Sequence, residues 1–351
     1  MLISICIPHH NRLRYLLVAL ESIFGQDCSD IEVVVSDDCS TDDSSTILPA
    51  YISTHRNVSD IRIHYIRHAG NIGYDANLRA SMAAAKGEYL FLLGNDDALA
   101  TSKTISSLAD TLRLLEFPDI AFANFHQYSM PAQVARRARR THLIGAGPNI
   151  ATKVFRSFSF FGGVVIKRAA FARHDTAAFD GTVYVQMYLG ARIIAAGGSV
   201  ASIEEPMVAK DITIDGEVAN SYRDVLARDN RRIEPKTGGL DEVGRLACQA
   251  ILPFAPKDRR WWYAARIYAQ LLAFTYPYWL YAYRKDGVYK AALNMALGCF
   301  PTRLIIARNT PAIVYLITFP IYIFATLAGL CAPTGILKLA SRYMLRLSKS
   351  F

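Results

Sequence analysis

The sequence predicts an α/β protein, a mainly parallel sheet with helices on both faces, followed by a helical region of different character. Three observations predict it. Short apolar runs alternate with segments of helical period over the first 200 residues. Polar or acidic clusters close three of those runs. Beyond about residue 235 the strand-like runs stop, and the chain turns apolar, aromatic and basic.

The elements follow in order. Met1–Pro8 is a short buried strand, stopped by Pro8-His9-His10-Asn11-Arg12; it lacks the basic region that opens a secretory signal. Leu13, Leu16, Leu17, Leu20, Ile23 and Phe24 fall at helical spacing. Ile31–Ser36 is a second strand ending in Asp37-Asp38, and 61–66 a third. A helix is expected over Asp75–Lys86, with Gly87 as its C-terminal stop. Tyr89–Leu93 is the next strand, closed by Gly94-Asn95-Asp96-Asp97. Ser102–Glu116 reads as helix and Ile120–Phe125 as strand. Residues 131–157, with six Lys and Arg among glycines, read as a mobile loop. Phe160–Ile166 then reads as strand and Val183–Ala196 as helix. Glu204-Glu205-Pro206 and Lys236–Gly239 read as connections. In open parallel sheets ligands bind beyond the carboxyl ends of the strands. Pro8–Asn11, Asp37-Asp38 and Asn95–Asp97 are therefore expected at one edge.

Composition limits the alternatives. Hydrophobic residues are 52% and charged residues 20% of the 351, which excludes a disordered chain. Six cysteines without a CxxC pair exclude a disulfide-stapled scaffold and a zinc ribbon, and are expected as reduced thiols. The net charge of +9 is unevenly spread: residues 1–230 carry −3 and residues 231–351 carry +12. All three tryptophans, Trp261, Trp262 and Trp279, lie in the basic part. Two regions are expected, 1–235 and 236–351.

Basic residues among aromatic and apolar runs, as in Arg259-Arg260-Trp261-Trp262-Tyr263, suit an anionic membrane surface and not nucleic acid. A helical surface for a homo-oligomer is the alternative. Ala312–Ala332 is uncharged and long enough to cross a bilayer. Pro320 lies within it, and basic residues flank both ends: Arg303 and Arg308 before, Lys338, Arg342, Arg346 and Lys349 after. Positive charge on both flanks favours a re-entrant or in-plane helix over a single span, with a buried soluble helix as a third option.

Acids after a strand often only cap the next helix. Together, however, these clusters resemble family 2 glycosyltransferases of the GT-A fold. Ser4-Ile-Cys-Ile-Pro-His-His-Asn11 is similar to that family's opening strand and loop, and Val33–Asp42 to its nucleotide-binding turn. Asn71–Asn77 with Ala85–Asp97 is similar to the stretch leading to its metal-binding acids. The Gly-Tyr-Asp-Ala-Asn part resembles the abequosyltransferase-like branch that builds O-antigen side groups. The resemblance is specific over residues 1–100 and looser to about 205.

It implies a nucleotide-sugar donor and a divalent cation, Mn2+ or Mg2+, on hard oxygen ligands, which neutralises the charge growing on the leaving diphosphate. It implies Asp97 as the metal ligand, Asp96 near the ribose or sharing the ion through water, and Asp38 accepting from a base ring N–H. Pro8 and Asn11 would line the base pocket, and Asp37 would support the turn. Asn95 stands where many relatives carry an acid. Inverting members take the acceptor proton with a later carboxylate. Aligning Arg192 and Gly197 places Gln186 there, and an amide cannot take a proton at neutral pH. Asp180 is the nearest carboxylate and is expected as the base, with Asp175 and His174 as alternatives. Arg136–Arg140 would close over phosphates or remain a solvated loop.

The expected activity is transfer of the sugar, with inversion, to a lipid-diphosphate-linked saccharide in cell-surface polysaccharide synthesis, at the cytoplasmic face of a bacterial inner membrane. A sugar nucleotidyltransferase needs a glycine-rich basic loop after the first strand; Pro8–Asn11 is no such loop. An inactive nucleotide-binding scaffold is the other alternative, motivated by Gln186.

Overall fold

The computed structural model describes residues 1–55, 61–218, 232–305, 310–333 and 335. Its internal contacts divide the chain into two units, Met1–Ile150 with Arg156–Ala219, and Ala151–Phe155 with Asn220–Ser350. The division at 219/220 lies 16 residues before the expected one, and it falls outside the described residues.

The first unit is built on a ten-stranded sheet. Its strands are β1 (Ile3–His9), β2 (Ile31–Asp37), β3 (Arg62–Arg67), β4 (Tyr89–Leu92), β5 (Ala98–Leu99), β6 (Ile120–Gln127), β7 (Met130–Ala135), β8 (His142–Gly145), β9 (Val164–Lys167) and β10 (Val200–Lys210). The order is β3-β2-β1-β4-β9-β6-β10-β5, with β7 on β6 and β8 on β10. The first four run parallel, β9 runs against both of its neighbours, and β10 is parallel to β6. This is the α/β arrangement of the GT-A fold. Residues of β1 and β2 are buried throughout, as a strand covered on both faces requires.

Helices cover both faces. On one side Leu13, Leu16, Leu20 and Ile23 of α1 (Leu13–Phe24) pack with Ile3, Ile5, Ile7, Val33 and Val35. Leu48 and Ile52 of α2 (Ser44–His55) and Ile105, Leu108 and Leu112 of α4 (Thr104–Leu114) join the same core. The other side carries α3 (Tyr74–Ala84), α6 (Arg168–His174) and α7 (Val185–Ala195); α5 (Pro148–Val154) lies between α3 and α6 in the chain. Helix α2 has no counterpart in the sequence expectations, because Pro49 interrupts its short apolar stripe.

Three expectations are corrected. Residues 131–157 are structured, holding β7, β8 and α5, because Asn124 clamps the segment: its Oδ1 accepts the Arg137 and Ala138 amides and its Nδ2 donates to the Ala138 carbonyl. Glu204-Glu205-Pro206 is the middle of β10, not a connection; the register with β6 shifts on both sides of Pro206, which a proline without an N–H requires. Gly87 does not stop α3, which ends at Ala84. A Cβ at Gly87 would lie 2.5 Å from Ser4 Oγ and 2.8 Å from the Leu2 carbonyl, so the glycine lets the chain pass close to β1.

The second unit is helical over Leu240–Ile251, Arg260–Gln270, Tyr276–Lys285, Tyr289–Gly298 and Ala312–Cys331. The last is the one helix among the described residues long and apolar enough to cross a membrane. It is bound to its own unit along one stripe, Val314, Thr318, Tyr322, Ala325 and Gly329. Tyr322 donates to the Ala296 carbonyl, and Arg284 donates to the carbonyls of Gly329 and Ala332 at its C-terminal end. Leu316, Phe319, Ile323, Phe324 and Leu327 face outward, Phe324 at 76% exposure. Arg308, Lys338, Arg342, Arg346 and Lys349 lie outside the described residues.

Candidate active site

Parallel register brings the three polar clusters to one edge. His9, the last residue of β1, stands beside Asp37, the last of β2. On the other side Cys6 stands beside Leu92, and the Leu93 amide donates to the Cys6 carbonyl, so Asn95–Asp97 leave the sheet at the same end. Pro8 is buried inside β1 in register with Ser36.

The loops after β1 and β2 are stitched together. Asn11 adopts a left-handed φ of 47°, a conformation asparagine tolerates. Its Oδ1 accepts the Thr41 amide at 2.7 Å, and its own amide donates to Ser40 Oγ at 3.0 Å. Asp37 is committed to this turn: Oδ1 accepts the Ser40 amide at 2.9 Å, and Oδ2 accepts the Tyr65 hydroxyl at 2.5 Å. Asp38 accepts the Ile72 amide at 2.5 Å and the Gly73 amide at 3.0 Å, one on each carboxylate oxygen. It therefore fixes the entry to α3 and keeps one lone pair on each oxygen for a further donor.

His9 links this region to the acidic loop. Its ring is fully buried, with Nε2 2.8 Å from Ser44 Oγ and Nδ1 3.1 Å from Asn95 Nδ2. Burial holds its pKa below the ordinary histidine value, against the pull of Asp37 and Asp42, so the ring is neutral at pH 7. The amide at position 95 thus has a specific partner.

Asp97 is 2% exposed, and its Oδ1 accepts the Asp211 amide at 3.0 Å. Burial, then the nearby Asp96 charge, push its pKa up to about 8. Among the described residues no cationic side chain forms an ion pair with it. Asp96 pairs with Arg12; burial raises its pKa, and Arg12 opposes the rise. Lys210 pairs with Asp211 at 2.5 Å. Arg12, Lys210 and Asp211 escaped the sequence reading. Arg12 carried a signal, lying one residue beyond the opening motif, whereas Lys210 and Asp211 reach the acids only through the course of β10.

Among the described residues no three His, Cys, Asp or Glu side chains form a ligand group. The donor set still fits a divalent cation. Mg2+ is typically held by one or two carboxylates together with substrate phosphates and waters, and Asp97 is a hard oxygen donor with no ion-pair partner among the described residues.

Asp180 stands apart from this network. Its Oδ2 accepts from Arg79 Nη1 at 2.8 Å, while Asp175 accepts from Nε and Nη2 of the same arginine. Burial outweighs Arg79 and raises the Asp180 pKa. Gln186 lies in the first turn of α7, buried, with its Oε1 unpartnered. Asp75, in the first turn of α3, accepts the Val183 and Val185 amides and so caps α7. Arg137, from the run expected either to close over phosphates or to remain a solvated loop, is instead fully buried.

Residues 4–175 match the sequence profile of Glycosyl transferase family 2. Abequosyltransferase RfbV of Salmonella typhimurium is 42% identical over 102 residues, 28% of this chain and 29% of that protein. The GalNAc(5)-diNAcBac-PP-undecaprenol beta-1,3-glucosyltransferase of Campylobacter jejuni is 33% identical over 98 residues, 28% of this chain and 30% of that one. The chain thus spans under a third of the length of either relative. The crystal structure of S. aureus TarS 1-349 in complex with UDP superposes with a TM-score of 0.60 at 15% identity, covering 93% of this chain and 91% of that one.

Proposed function

We propose that this chain, whose residues 4–175 belong to glycosyl transferase family 2, moves a sugar from a nucleoside diphosphate to a saccharide on a lipid diphosphate. The product would be a cell-surface polysaccharide of the O-antigen kind. The observation that carries the reading is Asp97, a buried acid with no ion-pair partner among the described residues, on the sheet edge it shares with Asp38 and Asn11. The names of the relatives support the substrate classes: an abequosyltransferase, and a glucosyltransferase named for a PP-undecaprenol-linked saccharide.

Asp38 accepts from a ring N–H of the base through a lone pair left by the Ile72 and Gly73 amides, while Pro8 and Asn11 shape the pocket. Asp97 would hold Mn2+ or Mg2+, with Asp96 near the ribose or sharing the ion through water. When bound, the cation supplies positive charge to the departing diphosphate. The acceptor hydroxyl oxygen bonds to the anomeric carbon as the bond from that carbon to the diphosphate oxygen breaks, with inversion. The hydroxyl proton passes to Asp180, whose Oδ1 is left open by the Arg79 contact.

A membrane-bound acceptor accounts for the second unit. Its helix Ala312–Cys331 is held along one stripe and apolar on the other, which supports an in-plane or re-entrant placement in a membrane surface. The excess positive charge of residues 231–351 adds the anionic surface to the proposal, which takes it as the cytoplasmic face.

Gln186 at the aligned base position favours a second reading, an inactive nucleotide-binding scaffold. Turnover separates the two. Thermal-shift screening of UDP-, GDP-, dTDP- and CDP-sugars with and without Mn2+ finds the donor, and metal-dependent release of its nucleoside diphosphate then excludes the scaffold. A bound donor that is never turned over, with lipid-linked acceptor present, excludes the transferase.

A further inference from the structure

Crossing the sheet edge from β2 to β1 to β4 passes the proposed base pocket and then the acids. The next strand is β9, and the turn entering it, Phe160-Phe161-Gly162-Gly163, lies directly against them. The Gly163 amide donates to the Leu92 carbonyl of β4 at 2.9 Å. A Cβ on Gly162 would sit 3.2 Å from Asp97 Oδ2. Phe160 and Phe161 are half-buried, and the Lys210 ammonium stands 5.7 Å from the Phe160 centroid. Phe161 meets Tyr74 edge-on with centroids 5.7 Å apart, and Phe160 lies 4.3 Å from Phe125.

Arg137 lies beneath this turn. Its guanidinium has no carboxylate in ion pairing among the described residues. It donates instead to four carbonyls: Ala123 at 2.8 Å, Ser157 at 3.1 Å, Phe160 at 2.6 Å and Gly162 at 2.7 Å. Its charge also lies 5.2 Å from the Phe125 centroid and 5.6 Å from that of Phe160. Burying a cation without an anion is costly. Three of the four carbonyls belong to residues 157–162, so the cost is spent on fixing this one turn.

We propose that Phe160 and Phe161, locked by the buried Arg137, form the wall on which the donor's sugar ring rests, with Arg137 as the positioning residue of that wall. The inference rests on the nucleotide-sugar reading and deepens it. A ring joined to a diphosphate at Asp97 continues the direction from base to phosphate and next meets β9. The C–H face of a pyranose is apolar and slightly positive, and an aromatic face is apolar and negative. The wall recognises the ring while leaving the nucleotide to the other side of the site.

The test compares a sugar nucleotide with its parent nucleoside diphosphate. The UDP-, GDP-, dTDP- and CDP-sugars that bind the wild-type chain with Mn2+ are titrated calorimetrically, each beside the diphosphate without its sugar. Phe161→Leu is expected to weaken the sugar nucleotide about tenfold and to leave the diphosphate within about twofold; Phe161→Tyr, which keeps the flat ring, retains both affinities. Arg137→Lys shifts the same ratio in the same direction, whereas general loosening would weaken both ligands together. Should Phe161→Leu fail to fold, Phe160→Leu carries the test. An unchanged ratio in the leucine variants overturns the wall and leaves the nucleotide-sugar reading standing. Failure of every sugar nucleotide to bind the wild type overturns that reading and the wall with it.

Discussion

Asp97 is a carboxylate placed where a folded protein has reason not to have one. Its pKa is raised well above the unfolded value by burial and by Asp96, so the native state holds the proton more tightly than the unfolded state does. Ligand-free stability therefore falls as pH rises from about 4 to about 8. Asp97→Asn removes that penalty. Scanning calorimetry without metal should show the variant melting above the wild type at pH 8, with the gap closing toward pH 4. Mn2+ should raise the wild-type melting temperature more at pH 8 than at pH 6, because binding must displace a proton. Asp180 gives a second prediction. Asp180→Asn should lower kcat by about 10²- to 10⁴-fold, the range for a lost general base, with the donor Kd unchanged; a variant that keeps its turnover would reduce the carboxylate to a latch for Arg79. The ends of β1, β2 and β4 were legible because apolar runs buried on both faces stop at polar residues. Arg137 was not. In the sequence it is one of several arginines in a basic stretch, and only the clamp by Asn124 turns it inward.

Helix α3 is the element that joins the two sides of the site. Its entry is held by Asp38, its Asp75 caps α7, and its Arg79 holds Asp175 and Asp180. Asp75→Ala should cost about 1–3 kcal/mol in urea denaturation, the range for leaving buried donors unsatisfied, because the Val183 and Val185 amides lose their acceptor. Gly87→Ala should cost a similar amount, about 1–3 kcal/mol, by overpacking against Ser4 and Leu2. At this scale the periodic helices were readable, while α2, β7, β8 and the centre of β10 were not. Pro206 resembled a break because a strand proline needs a bulge, and a bulge depends on the partner strand.

Over the whole molecule the uneven charge finds a use on the lipid-facing reading. Residues 231–351 carry the excess positive charge, and the helix Ala312–Cys331 adds an outward apolar stripe. The chain should float with anionic vesicles in a density gradient and float less at high salt. The combined variant L316S/F324S/L327S should stay at the bottom while binding the sugar nucleotide as the wild type does. The central claim concerns the other unit: that Asp97 gathers a cation and a diphosphate for group transfer. It is tested most directly by following nucleoside diphosphate release from the donor, with lipid-linked acceptor present, in wild type and Asp97→Ala, with Mn2+ and with chelator. The account predicts release only in the wild type with metal; equal release by Asp97→Ala, or by the wild type in chelator, would contradict it.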